Sequence, residues 1–233
     1  MNKLFSYVLR FDDGAAPNPF GGICTLTICK PAIRRSASVG DWIIGTGSKN
    51  SRLKDGKIYD LSDTIVYAMK VSEKQTLSEY DFHCQHKLKS KIPKWHSKIF
   101  QRRIGDCIYD FTTKNVVEIR QSVHNEWNKS RDLSGKFSLL SDHFYYFGET
   151  ARSLPLELRT IIKRNQGHRT IEQIDLISKF EEWISQFEAN KIYGDPQLKF
   201  EFEKVPKFEL RIRCSQRHFD DDILNENDEN IDC

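Results

Sequence analysis

The groups that could do chemistry are spread along this 233-residue chain and form no single catalytic signature. Covalent work on a base or nucleotide needs a nucleophile, a proton acceptor and a group that stabilises developing charge. The chain offers Thr25 or Thr27, Lys30 and Glu73 inside or beside apolar runs, with Asp12, Asp13 and His124 as further acid–base groups. There is no serine elbow, Walker loop, H-E-x-x-H or Rossmann fingerprint, and GTGSK at 45–49 is too short for a phosphate loop. The six cysteines stand at 24, 29, 84, 107, 214 and 233 with no C-x-x-C pair. His83, Cys84 and His86 have no second half at zinc spacing, so neither a metal nor another cofactor is expected.

The other chemistry, and the one these residues favour, is recognition of a modified base or nucleotide without turnover. Aromatic rings can sandwich a base, each stack contributing about 1–3 kcal/mol. Trp42 is the first candidate wall, and the run Phe144, Tyr145, Tyr146, Phe147 offers another. If that run is a strand, alternate members face opposite sides, so at most two can line one pocket. Asn18 presents both a donor and an acceptor, as a base edge does. Asp41 could accept from an exocyclic amine or simply close a Gly-Asp turn. Asp142 and His143 precede the aromatic run, and Ser48 follows two loop glycines where backbone N–H groups can gather an oxyanion.

Phosphate contacts need bases. Lys30, Arg34 and Arg35 form one set. Residues 87–103 form another, including Lys89, Lys91 and Lys94, with no acid and with Trp95 and Phe100 interleaved. Such a run reads as a backbone-tracking surface or as a solvated face.

The elements that must position these groups follow from pattern. Residues 3–9, 23–29, 42–44, 64–72, 106–111, 116–120 and 137–141 read as strands. Residues 156–164 follow Pro155 and predict a helix. Thr170 with Gln173 resembles a capping box and predicts a longer helix, with Ile171, Ile174, Ile177, Phe180, Ile184 and Phe187 on one face. Residues 198–203 and 207–213 alternate as a late hairpin around Pro206. The class is α+β, a small barrel or a strongly bent mixed sheet with flanking helices and a C-terminal helical segment plus hairpin.

Several segments carry a resemblance in order: YVLRFDDGAAPNPFGGICTLTICKPAIRR at 7–35, VGDWIIGTGSK at 39–49, IVYAMKVSE at 65–73, GDCIYD at 105–110 and LLSDHFYYFG at 139–148. The Gly-Asp turn into an apolar strand with a Gly-rich exit resembles the PUA-like superfamily, including the ASCH, EVE and YTH domains. The whole ordered set is similar to the nucleotide modification associated domain family, second type, over roughly residues 4–195. The PUA-like likeness implies a base-binding pocket on a barrel. The closer likeness implies a prokaryotic or phage protein tied to modified DNA or nucleotides, in a modification or defence setting. The segment DFHCQHKLKSKIPKW at 81–95 and Cys107 depart from the expected pattern.

Composition agrees with a globular chain. Charged residues are 30% and aromatics 12%, and no run approaches the roughly 18 apolar residues of a membrane span. The N-terminus turns charged at Arg10 and predicts no secretory signal, and the sparse cysteines predict a reduced, cytoplasmic setting. Residues 219–233 hold seven acids and no Lys or Arg, so the first 218 carry 36 bases against 33 − 7 = 26 acids. The predicted layout is a nucleotide-associated unit at 1–197, added strands at 198–218 and an acidic disordered tail at 219–233. Nucleic acid or a free nucleotide is the expected ligand, with a partner protein engaged through 198–233 as a further expectation.

Overall fold

The computed structural model describes residues 2–113 and 115–199. The fold is mixed α+β, built around a seven-stranded mixed sheet. Its strand order is His168–Ile171, Leu4–Val8, Trp42–Thr46, Thr64–Lys70, His143–Tyr146 and Lys191–Ile192, with Arg152–Ser153 also pairing on Thr64–Lys70. Leu4–Val8 and Trp42–Thr46 run parallel, in register from Leu4 opposite Trp42 to Val8 opposite Thr46. A second, antiparallel sheet joins Cys24–Leu26, Phe137–Ser141 and Glu73–Thr76. The large sheet ends in two separate edge strands, so the barrel alternative is not formed among the described residues.

Period-two alternation sorts the sheet into two cores. Leu4, Trp42, Ile44 and Tyr145 pack with Ile177, Phe180 and Ile184 of the helix Ile174–Ile184. Phe5, Tyr7, Ile43, Phe144 and Tyr146 pack on the opposite face with Cys24, Leu26, Ile33 and Leu139. The aromatic run divides by face as the alternation requires.

Helix boundaries differ from the pattern in instructive ways. Thr170 does not cap a helix. Residues His168–Ile171 pair antiparallel with Leu4–Val8, with Ile171 opposite Leu4. In the strand both β-branched residues pair with Leu4–Val8 and Ile171 is buried, which outweighs a local cap. The helix begins at Ile174, which is 55% exposed, and its core residues are Ile177, Phe180 and Ile184, while Ile171 is buried from the strand before it. Residues Leu156–Ile161 form a 3-10 turn instead of an α-helix. Two polar helices have little apolar periodicity and are fixed by their caps: Leu77–His86, with a Thr76–Glu79 capping box, and Glu126–Ser134, capped by Asn125 with Asn128. The predicted hairpin and acidic tail lie outside the described residues from position 200 onward. No helix among the described residues is long and apolar enough to cross a membrane.

Candidate active site

The parallel strands Leu4–Val8 and Trp42–Thr46 end side by side, and a cavity of about 530 Å³ is lined by the segments that follow them, residues 8–11 and 47–49. Ligand crevices recur beyond the carboxyl ends of parallel strands, where the following loops diverge. Cys29, His124 and Asp132 all line this cavity. Cys29 Sγ lies 3.6 Å from His124 Nε2, and His124 Nδ1 lies 2.5 Å from Asp132 Oδ2. Asp132 Oδ2 also accepts from the Tyr109 hydroxyl at 2.8 Å, and Oδ1 accepts from the Cys29 backbone N–H at 2.7 Å. The sequence order is thiol, imidazole, carboxylate. The spatial order is that of a nucleophile, its base and the group that orients the base.

The charge state follows from burial and pairing. Burial opposes an imidazolium at His124, but the Asp132 charge, Cys29 and hydrogen bonds to both outweigh it and hold the His124 pKa well above its ordinary value. Burial likewise opposes the Asp132 carboxylate, yet His124 and Arg34 hold its pKa down to about 2. The pair is therefore an imidazolium–carboxylate at neutral pH. Both ring nitrogens then donate, Nδ1–H to Asp132 and Nε2–H toward the Cys29 sulfur.

Local backbone explains how the sulfur reaches that place. Cys29 and Lys30 are consecutive non-glycine residues in the left-handed region, with φ of 57° and 43°. Each such residue costs on the order of 1–3 kcal/mol unless its surroundings enforce it. The surroundings here are specific. Pro31 opens the helix Pro31–Ser36 directly after the turn. Arg34, on that helix, is fully buried and donates to three carbonyls: Nε to Cys29 at 2.8 Å, Nη1 to Phe137 at 2.8 Å and Nη2 to Asp132 at 2.5 Å. One guanidinium thus ties the Cys29 backbone to that of Asp132. Gly135 permits this, since a Cβ there would lie 2.2 Å from Arg34 Cζ.

The same three residues could in principle ligate a metal. The donor geometry argues otherwise, because both Asp132 oxygens and His124 Nδ1 are engaged with one another or with Tyr109 and Cys29 N–H. Only the sulfur and Nε2 would remain for an ion, short of the three protein ligands of a catalytic zinc site. The other described thiols differ in access. Cys24, Cys84 and Cys107 are buried, and burial pushes Cys24 up to about 12, whereas Cys29 is partly exposed at the cavity.

Of the sequence-predicted residues, Lys30 and Ser48 line the cavity. Lys30 Nζ sits 4.7 Å over the Tyr7 ring. Ser48 is held in a local turn, with its N–H on Ser51 Oγ at 3.3 Å and its Oγ accepting from Asn50 N–H at 3.2 Å. Three others do not line it and are engaged internally. Asn18 donates to the Ile104 carbonyl, while its Oδ1 accepts from Phe20 N–H and the Lys91 ammonium. Lys91 is fully buried and makes two more bonds, to the carbonyls of Asn18 and Ile23, so it clamps a loop instead of meeting phosphate. Arg34 positions the triad as described. Arg35, Lys89 and Lys94 are exposed and outside the cavity.

The expected aromatic site lies at the other end of the sheet. Trp42 is 1% exposed, donates to Glu181 Oε1 at 2.8 Å and packs between Phe180 and Tyr145, with His143 edge-on at 5.4 Å. Tyr145 and His143 therefore join Trp42, but as packing partners around a buried ring. Tyr146 is buried on the opposite face and donates to Asp12 at 2.5 Å. Asp12 is buried too, which pushes its pKa up to about 7, and it binds the Gln197 N–H at 3.2 Å. Asp13 closes a turn on Ala15 N–H, and Asp41 accepts from Lys3 and Ser38 N–H, closing the Gly-Asp turn. Glu73 and Asp142 are exposed, Glu73 bonding Gln75 and Asp142 donating its N–H to Ser72. His83 bonds Gln75, and His86 packs on Phe82.

His124 was legible as an acid–base group, but Cys29 and Asp132 were not singled out. The one local signal was Cys-Lys-Pro, an apolar run stopped abruptly before a proline-led helix. No curated protein and no solved structure matches the chain. A family model, nucleotide modification associated domain 2, matches residues 1–204, most of the length. The segments that line the cavity fall within that match, and the chain belongs to the nucleotide modification associated domain 2 family.

Proposed function

We propose that this protein is a thiol-dependent enzyme that acts on a nucleotide-derived substrate in a nucleotide-modification setting. The observation that carries the reading is the Cys29–His124–Asp132 relay at 3.6 and 2.5 Å inside a cavity of nucleotide size. Cys29 Sγ attacks an electrophilic carbon of carbonyl or amidine type. The new S–C bond forms as the bond to a nitrogen or oxygen leaving group breaks, and that group takes its proton from His124 Nε2. Water or a second nucleophile then adds to the carbon and gives its proton to His124. The S–C bond breaks, and the thiolate beside the imidazolium is restored. Asp132 keeps the ring oriented throughout, and Lys30, beside the nucleophile, supplies positive charge near the reacting atoms.

Family membership supports the nucleotide setting. A modification or defence role in a prokaryote or phage is part of this reading, and so is a PUA-like ancestry of the sheet. The test is incubation with nucleotide extracts and with modified and plain oligonucleotides, read by mass spectrometry. A mass change in a substrate, lost in Cys29→Ser, is the expected result. A retained and unchanged ligand would instead make the protein a reader of that base.

A further inference from the structure

The cavity holds more charge than the thiol chemistry uses. Six bases line it (Arg10, Lys30, Lys49, Arg131, Lys163 and Arg164) against two carboxylates, Asp60 and Asp132. Asp132 is committed to His124, so the lining is strongly cationic toward an incoming ligand. Two of the basic segments are fixed in place. Residues 47–49 are pinned by Gly47 N–H on the Thr64 carbonyl at 2.9 Å and by Leu61 N–H on the Ser48 carbonyl at 2.9 Å. A Cβ at Gly47 would lie 2.3 Å from the Leu61 carbonyl oxygen, so this approach requires glycine. The segment at 163–167 follows a 3-10 turn whose Arg159 pairs with Asp63 at 2.7 Å, and Arg164 pairs with the same carboxylate at 2.8 Å. Asp60 belongs to the same neighbourhood. Its carboxyl is held below the usual range, first by the Ser62 hydroxyl and N–H, with Lys49 and Arg164 adding to the effect.

We propose that Lys49 and Lys163 form a phosphate subsite, and that the substrate of the Cys29 relay is a single phosphorylated nucleotide and not a base within duplex DNA. The proposal deepens the thiol-enzyme reading and rests on it for the chemistry alone. A volume of about 530 Å³ holds one nucleotide. Cations on two pinned segments recognise a compact dianion without reorganising. A backbone-tracking surface would need an extended stripe of bases, and the stripe expected at 87–103 is broken by the burial of Lys91. Asp60 competes with the phosphate for Lys49 and Arg164. Its removal should therefore tighten binding.

The test is calorimetric titration of the full chain carrying Cys29→Ala, so that binding is read apart from thiol chemistry. The probes are the deoxynucleoside monophosphates, the matching nucleosides, inorganic pyrophosphate and a plain duplex oligonucleotide. Expected are binding of at least one monophosphate, competition by pyrophosphate, no binding of the matching nucleoside, and weakening as salt rises. The double variant Lys49→Gln/Lys163→Gln, on an unchanged melting temperature, should lose at least about tenfold in affinity. Asp60→Asn should gain a few-fold, and Lys94→Gln should change nothing. Equal binding of nucleoside and nucleotide, an unaffected double variant, binding of duplex alone, or no binding by any probe would each overturn the subsite. Rapid Cys29 alkylation in the unmutated chain would still stand in those cases, so failure here is separable from failure of the thiol reading.

Discussion

Both ends of the large sheet carry a histidine, a carboxylate and aromatic rings, and they use them in opposite ways. At the Trp42 end, His143 is exposed and lies near Lys70, and partial burial and that cation lower its pKa. Its ring packs edge-on against Trp42 and meets Tyr145 Oη at 3.1 Å, while the nearby Glu181 is engaged by Trp42 and Lys70. At the other end His124 is buried, and Asp132 contacts its Nδ1 directly, which raises its pKa. The difference is one contact: a buried carboxylate oriented onto the ring makes an imidazolium and aims its second nitrogen at a sulfur. Without that contact, a histidine beside aromatics is a packing residue. The comparison teaches that residue composition cannot distinguish a stacking pocket from a packed core, whereas a short donor chain into a cavity can identify a reactive group.

The largest effect should come from the sulfur itself. Cys29→Ser is expected to remove turnover by roughly three orders of magnitude or more, as loss of a nucleophile does. His124→Ala should lower it by about 10²–10⁴-fold. Both are measured by substrate mass change, with the melting temperature as a folding control. Substitution at the opposite end should act on stability instead. Trp42→Ala should cost about 3–5 kcal/mol in denaturant unfolding through its cavity, and leave Cys29 reactivity in the folded protein within about twofold. If Trp42→Phe, which preserves the fold, abolished ligand binding, the assignment of the two ends would be reversed.

Gly135→Ala sharpens the comparison more gently. It crowds the Arg34 guanidinium and should slow Cys29 alkylation several-fold with little change in nucleotide affinity. The smallest effect concerns Asp12. Its folded pKa of about 7 exceeds the usual 3.8, so the folded state holds a proton that the unfolded state releases. Its contribution to stability is fully present below about pH 4 and falls away as the pH rises to about 7. Asp12→Asn should flatten that part of the unfolding profile. The His124–Asp132 pair runs differently. The Asp132 contribution is present above its unfolded value and lost as pH falls toward about 2, and the His124 contribution is lost only as pH rises through its elevated value.

Three strands of the large sheet were readable because β-branched and aromatic residues alternate between two buried faces. Leu4–Val8, Trp42–Thr46 and Thr64–Lys70 fall where the pattern put them, as does Phe137–Ser141 of the second sheet. The helices Leu77–His86 and Glu126–Ser134 were not readable from apolar period, since their polar faces leave only a cap as a signal. The site suffered a deeper loss. Cys29, His124 and Asp132 lie 95 and 8 positions apart and meet only because a strained turn, a capped helix and one buried arginine converge. Asn18 and Lys91 illustrate the converse. Their polar groups suit a ligand in the sequence, but in the fold each satisfies the other.

The most direct measurement is the rate at which iodoacetamide modifies Cys29 at neutral pH, followed by peptide mass mapping in the unmutated chain, His124→Ala and Asp132→Asn. The relay predicts that Cys29 is modified well ahead of Cys24, Cys84 and Cys107, and that either substitution slows it by at least about tenfold while the melting temperature shows a folded protein. A Cys29 rate no faster than that of the buried thiols, or one unchanged by loss of His124, would contradict the account.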